Sequence, residues 1–376
     1  MSGMRGIDTP VRQRRRRVFK EVANLAYNST NLKDDMEALP YQIVDYEEPL
    51  YWESVYRDRA IIRERIRLAM GMSLRPENRE HPGHLTQGLE ESNIGEKYYE
   101  PPLMQVIPSA CNGCPENKYE VTSSCMGCVA HPCHSVCPKG AISMVEGKSV
   151  IDQEKCIKCG KCKEVCPYDA ICHKERPCKA ACGVNAIKSD KFGRAYIDND
   201  ICVSCGMCMV SCPFGAIADK SQIFQLIRAM QSGKEVIAQV APAFVGQFGP
   251  KVTPDMFKTA LKELGFAEVY ETAIGADLGC MAEAEHYVKE VATGNQSFAL
   301  TSCCPSWSVM AKHLFPETID KISNELTPMV ATARIIKEEH PDALVVFIGP
   351  CASKKLEASR RTIRSDVDFV ITFEEL

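Results

Sequence analysis

Seventeen of the 21 cysteines in this 376-residue chain lie between Cys111 and Cys212, and the other four are spread over the 164 positions that follow. Thiols at that density become disulfides in an oxidising compartment or metal ligands in a reducing one. The amino terminus selects between the two. Arg14-Arg15-Arg16-Arg17 has the paired arginines of an export signal, but Val18 to Leu25 carries charge where such a signal needs an apolar core. The expectation is a cytoplasmic protein with reduced thiols, its arginine run being the solvated face of a helix or a docking patch. Thr9 as N-cap and Pro10 as first helical residue start that helix, with Val11, Val18, Val22 and Leu25 on its apolar stripe.

Within the cysteine-rich segment the sequence repeats four times, each copy closing on a cysteine with Ala-Ile four residues later: Cys137-Pro-Lys-Gly-Ala-Ile, Cys166-Pro-Tyr-Asp-Ala-Ile, Cys182-Gly-Val-Asn-Ala-Ile and Cys212-Pro-Phe-Gly-Ala-Ile. Two copies, Cys156-x2-Cys159-x2-Cys162-x3-Cys166-Pro and Cys202-x2-Cys205-x2-Cys208-x3-Cys212-Pro, match the ligand run of bacterial ferredoxins. Three thiolates two residues apart wrap three irons of a 4Fe-4S cubane, and the fourth is aimed at a neighbouring cluster. Zinc needs one tetrahedron and has no use for the third, closely spaced thiolate.

A third copy, Cys125-x2-Cys128-x4-Cys133-x3-Cys137-Pro, keeps all four thiolates. The spans from Cys137 to Cys166 and from Cys182 to Cys212 are 29 and 30 residues, so the repeats pair as two tandem two-cluster units. The crossover rule then gives Cys125, Cys128 and Cys133 with Cys166, Cys156, Cys159 and Cys162 with Cys137, and Cys202, Cys205 and Cys208 with Cys182. The fourth set is defective. Cys172 and Cys178 stand at its first and third positions and Cys212 would be its last ligand, but Glu175 stands at the second. That cluster is carboxylate-ligated, completed by another cysteine, or absent. Upstream, Cys111-x2-Cys114 lends it a thiolate, forms a knuckle with Cys125 and Cys128, or has no metal role. His131, His134 and His173, singly placed among the thiolates, read as loop residues. Three 4Fe-4S clusters, and a fourth if its site fills, make an electron wire.

The rest of the chain divides around this wire. Residues 1–70 read as a helical accessory region, with Val55, Ile62, Ile66 and Ala69 on one face of its second helix. Residues 71–110, rich in Pro, Gly, Glu and Asn, read as a linker or irregular wrap, and 111–220 as the tandem ferredoxin-like domain. From 221 to 376 strands alternate with helices: a buried strand at Val236–Ala241, helices over Pro254–Leu264, Met310–Leu314 and Met329–Glu339, and strands at Phe298–Leu300 and Ala343–Ile348. The fold class expected is α+β multi-domain, ending in an α/β domain. A formal charge of -4 gives no reason to expect nucleic acid, and no apolar run reaches the roughly 18 residues of a membrane span.

Two thiol motifs each follow a strand, Thr301-Ser-Cys-Cys-Pro-Ser-Trp307 and Gly349-Pro-Cys-Ala-Ser-Lys-Lys-Leu-Glu357. Behind a ferredoxin-like domain, and with Ala241-Pro-Ala and Gly275-Ala-Asp-Leu, the segment from Cys111 to Leu376 resembles the iron-only (FeFe) hydrogenases. The resemblance implies reversible reduction of protons to hydrogen, with electrons from ferredoxin or a similar carrier and assembly by hydrogenase maturation proteins. It implies that Cys304 and Cys351 bind the active-site H-cluster, a cubane joined to a two-iron unit carrying CO and cyanide, and that Lys354 holds a cyanide. It also implies that Cys303, Glu283 and Ser323 are proton-relay residues. Three departures stand out: Gly349 replaces the usual Met, His286 replaces a second relay glutamate, and the family's Cys-x3-Cys motif is absent. The chain stops at Phe369-Val-Ile-Thr-Phe-Glu-Glu-Leu376 without a terminating signal, so a truncated catalytic domain is expected. Two other classes compete with a hydrogenase. A non-catalytic iron-sulfur assembly or sensory relative shares the Lys-Lys-Leu-Glu motif but typically lacks the thiol at Cys303. A polyferredoxin carrier explains the clusters but not Thr-Ser-Cys-Cys-Pro.

Overall fold

The computed structural model describes residues 7–45, 54–75, 83–359 and 365–376. Thr9 caps α1 (Pro10–Asn28) by accepting from the Arg12 amide, and Pro10 at the first position costs no hydrogen bond. A helix that the sequence reading missed, α2 (Leu32–Ile43), follows with Asn31 as its cap, before α3 (Val55–Ala69). Its apolar periodicity is interrupted by Asp34, Asp35 and an internal Pro40, which hides it from a pattern search.

The three helices do not form a separate unit. Val18, Val22 and Leu25 of α1 pack against Phe224 and Ile227 of α4 (Ile223–Gln231), the first helix after the cysteine-rich segment. At about 1.5–3 kcal/mol per fully buried apolar side chain, this is a strong clasp. The supposed linker is also drawn in: β1 (Met104–Val106) pairs antiparallel with β8 (Ile217–Asp219), and Leu85, Leu103 and Ile107 are buried.

Between those strands lie three two-stranded antiparallel pairs: β2 (Asn117–Val121) with β5 (Ile171–Glu175), β3 (Ile142–Val145) with β4 (Lys148–Ile151), and β6 (Ile187–Ser189) with β7 (Ala195–Ile197). Two-stranded pairs this short are marginal alone, and their apolar faces are buried against cysteines.

The last third is one parallel sheet in the order β10 (Glu268–Glu271), β9 (Val236–Val240), β11 (Leu344–Gly349), β12 (Phe369–Thr372). Its inner strands are buried on both faces, as the continuous apolar runs require. Helices α5 (Pro254–Glu263), α6 (Ala273–His286), α7 (Pro305–Leu314), α8 (Pro328–Glu339) and α9 (Ser353–Ser359) complete it. The strand expected at Phe298–Leu300 is reduced to a single bridge between Leu300 and Ile322. In α6 the close helix contact is set by Gly275, where a Cβ would lie 2.4 Å from the Pro328 carbonyl oxygen on α8.

A buried polar knot locks the parts together. Lys355, 2% exposed, donates to Asp219 at 2.7 Å, to Glu375 at 2.7 Å and to the Lys220 carbonyl at 3.0 Å. Arg15, from the run expected to be solvated, sits 3.3 Å from Glu374 and 3.8 Å from Asp219. Burial pushes the Asp219 carboxyl up, but Lys355 and Arg15 outweigh it and hold the group below its ordinary range. Burial likewise opposes the Lys355 charge, and Asp219 and Glu375 more than restore it.

Replacing Lys355 by Met is therefore expected to cost about 3–5 kcal/mol, because two carboxylates lose their buried counter-charge. In anaerobic denaturant titrations the deficit should be largest at neutral pH. It should narrow on acidification, since the parent loses the Asp219 contribution as pH falls through its depressed pKa while the variant's carboxyls protonate and lose their uncompensated charge.

Candidate iron-sulfur and hydrogenase centres

The cluster-binding loops are built from left-handed kinks and single helical turns, which place thiols without long elements. Cys125, Cys128, Cys133 and Cys166 line one small cavity together with Ser149 and Tyr168. In the same core the buried Cys133 and Cys162 meet Cys137 and Cys156, so the first unit's two sets share one apolar interior. Cys202, Cys205, Cys208 and Cys182 are also brought together: burial first, and then the Cys202, Cys205 and Cys182 thiols, push the Cys208 thiol far up. The three complete crossover sets thus have their members in common cores or electrostatic contact.

The donor chemistry suits clusters. At each closing cysteine the amide four residues on donates to sulfur, from Ala141 to Cys137 at 3.3 Å, Ala170 to Cys166 at 3.4 Å, Ala186 to Cys182 at 3.2 Å and Ala216 to Cys212 at 3.4 Å. Alanine recurs there as a small buried residue whose amide reaches the sulfur. Among the described residues no three His, Cys, Asp or Glu side chains close around a single metal ion.

The fourth set differs from the sequence expectation. Cys172 lies on β5 with its thiol donating to the Glu120 carbonyl at 3.5 Å, on the strand that pairs with β2. Glu175, on the same strand opposite Asn117, is exposed and ladder-paired. Cys178 lies elsewhere: its thiol is pushed up to about 12 by burial and then by the thiols of Cys212, Cys111 and Cys114, against the pull of Arg176. His173, expected in a loop, instead lies on β5 opposite Tyr119, stacks on that ring at 4.7 Å and bonds the Asn117 side chain at 2.8 Å.

In the α/β part, Cys351 follows β11 at the end where open sheets place their ligands, whereas Cys304 is the N-cap residue of α7 and follows no strand of the sheet. Two contacts tie these thiols to the second ferredoxin-like unit. Ser306, two residues beyond Cys304, donates from its buried hydroxyl to the Val203 carbonyl at 2.7 Å. Ala352, next to Cys351, lies 3.7 Å from where a Cβ on Gly206 would stand. A cavity of about 720 Å³ has Cys205, Gly206, Cys351, Ala352 and Phe373 on one side and the α1 start, Thr9 to Arg12, on another; Cys304 is not on its wall.

Lys354 is held by Glu357 at 2.7 Å and donates to the Cys303 carbonyl at 3.1 Å, joining the two thiol motifs. The Cys351 thiol is 3.1 Å from the Ser353 hydroxyl. Gly349 is buried, and a Cβ there would be 2.5 Å from the Phe347 ring, so that ring occupies the place of a side chain. Cys303 is exposed, Glu283 is half-buried on α6, and the Ser323 hydroxyl accepts from the Glu325 amide at 3.2 Å. Among the described residues no hydrogen bond joins those three side chains to one another.

Residues 234–376 match the family described as the C-terminal domain of the iron only hydrogenase large subunit, and residues 149–172 and 195–218 match the 4Fe-4S binding domain. The chain is 32% identical over 267 residues to iron hydrogenase 1 of Clostridium pasteurianum, covering 64% of this chain and 45% of that protein. It is 31% identical over 262 residues to the NADP-reducing hydrogenase subunit HndD of Solidesulfovibrio fructosivorans, covering 62% and 44%. It is also 29% identical over 129 residues to the cytosolic Fe-S cluster assembly factor NAR1 of Meyerozyma guilliermondii, covering 31% and 24%. The chain therefore spans less than half the length of these relatives. Among the described residues no helix is long and apolar enough to cross a membrane.

Replacing Cys159 by Ala should remove one cluster, about four irons per chain, from anaerobically reconstituted protein. Glu175→Gln should leave the iron content unchanged, because its exposed side chain stands at the end of β5, opposite Asn117. Iron and sulfide analysis with EPR of the reduced protein separates the two.

Proposed function

We propose, from the premise that residues 234–376 belong to the iron-only hydrogenase large-subunit family and follow 4Fe-4S binding domains, that this chain is part of an enzyme that interconverts protons and hydrogen. The 4Fe-4S clusters are its cofactors. The observation that carries the reading is the approach of both thiol-bearing segments to the Cys202–Cys208 loop: Ser306 bonds the Val203 carbonyl, and Cys351 and Ala352 share a cavity wall with Cys205 and Gly206. A carrier that only stored electrons has no need of such an acceptor at the end of its wire.

Cys304 and Cys351 would hold the active-site cluster, which would supply redox-active iron when bound. Lys354, already oriented by Glu357 and the Cys303 carbonyl, offers its ammonium to an anionic ligand of that cluster. The exposed Cys303 thiol, adjacent in sequence to Cys304 but on a different bearing, donates and accepts the proton. Glu283 and Ser323 carry it outward. Ferredoxin or a similar carrier delivers electrons to the ferredoxin-like units, and maturation proteins install the active-site group.

A second reading is a non-catalytic assembly role, favoured by the likeness to an iron-sulfur assembly factor over about a third of the chain. Cys303 speaks for catalysis. In the gene product matured anaerobically, hydrogen evolution from a reduced carrier is the decisive assay. Cys303→Ala should keep the iron content and lose activity by roughly a hundredfold or more, as expected for a removed acid-base group. Cys304→Ala should lose the active-site cluster itself. Matured protein with a full cluster complement and no hydrogen turnover would overturn the enzymatic reading in favour of assembly.

A further inference from the structure

The first ferredoxin-like unit interrupts the second, and we propose that the two sides of the interruption form a fourth 4Fe-4S site with ligands Cys111, Cys114, Cys178 and Cys212. The proposal rests on the iron-sulfur reading above and replaces Cys172 and Glu175 as candidates for that site.

The backbone supplies the comparison. In the three complete sets the residue before the second cysteine is left-handed, at Gly127 (φ 60°), Lys158 (φ 59°) and Ser204 (φ 54°); Gly113, before Cys114, repeats it at 58°. For Lys and Ser that conformation costs about 1–2 kcal/mol, so it marks a shape the loop requires. The third cysteine of each complete set is buried on a single helical turn, at Cys133, Cys162 and Cys208; Cys178 is buried on the turn Pro177–Ala180. The first cysteine of the first unit accepts from the Ser149 amide on β4 at 3.5 Å. Cys111 accepts from the Ala195 amide on β7, the corresponding strand of the second unit, at 3.3 Å. Cys111 and Cys212 pack in one apolar cluster, and Cys111 and Cys178 in another.

Cys111-x2-Cys114 is therefore the opening of a copy that resumes at Arg176-Pro177-Cys178, just as Cys128 continues through His131-Pro132-Cys133. Residues 117–175 are inserted between. Their ends zip as β2 and β5, and the Arg176 amide reaches the Glu116 carbonyl at 3.4 Å where the insertion leaves and rejoins. The buried Arg176 guanidinium bridges the gap, donating to the Cys114 carbonyl at 2.7 and 3.0 Å and to the Gly193 carbonyl at 2.7 Å. Sixteen of the 17 clustered cysteines then fall into four sets of four, and the remaining one, Cys172, belongs to the stem of the insertion.

The test compares iron, sulfide and EPR spin count in anaerobically reconstituted full chain and its variants. Cys111→Ala and Cys178→Ala should each lose about four irons and the same EPR signal while the other signals persist, and Cys172→Ala should match the parent. Should an alanine variant lose all its signals by unfolding, Cys111→Ser and Cys178→Ser, which keep an oxygen ligand, should shift that one signal alone. A Cys172→Ala variant that loses a cluster, or Cys111 and Cys178 variants that lose and shift none, would overturn this ligand set while leaving the other three clusters standing. A parent with no 4Fe-4S signals would overturn the iron-sulfur reading with it.

Discussion

The convergence of four thiolates on one cubane is the constraint around which the middle of this molecule is built. Buried thiols repel one another as anions, and the raised pKa values of Cys178, Cys202 and Cys208 express that repulsion together with burial. Iron relieves it, and backbone amides aimed at sulfur share the remaining charge. The consequence is a domain of three-to-five-residue strands and one-turn helices, too short to be stable without the groups they enclose.

The second structural theme is how a wire is attached to a chemical site. The loop that holds Cys202, Cys205 and Cys208 is not left free at the domain surface. It is gripped from one side by the α7 start through Ser306 and from the other by the segment after β11 through Ala352. The Lys355 knot stiffens the same junction, since Asp219 ends the ferredoxin-like segment and Glu375 follows the last strand of the sheet. A buried ion triad gives little net stability over apolar packing, but it fixes the relative placement of the parts it joins.

Much of the site was legible before any coordinates. A ligand run of the form Cys-x2-Cys-x2-Cys-x3-Cys-Pro is local: its spacing and its proline act within a dozen residues, so Cys156–Cys166 and Cys202–Cys212 could be read directly. The strands β9 and β11 were legible for a related reason, because a strand buried on both faces must be apolar throughout. Helix α2 and strand β10 were not, since an interrupted stripe and a short, half-exposed edge strand leave no period to detect.

The fourth set shows where sequence reading stops. Cys172 stood at a plausible spacing and Cys111 did not, because spacing assumes a continuous loop, and 59 residues have been inserted between Cys114 and Arg176. Only the pairing of β2 with β5 brings the two halves of that copy together. The sequence by itself determined which chemistry the chain can hold, since thiol number and local spacing select iron-sulfur clusters. Which thiols meet across the insertion, and which cluster loop faces Cys304 and Cys351, was decided by tertiary structure, because those are distances between segments far apart in the chain.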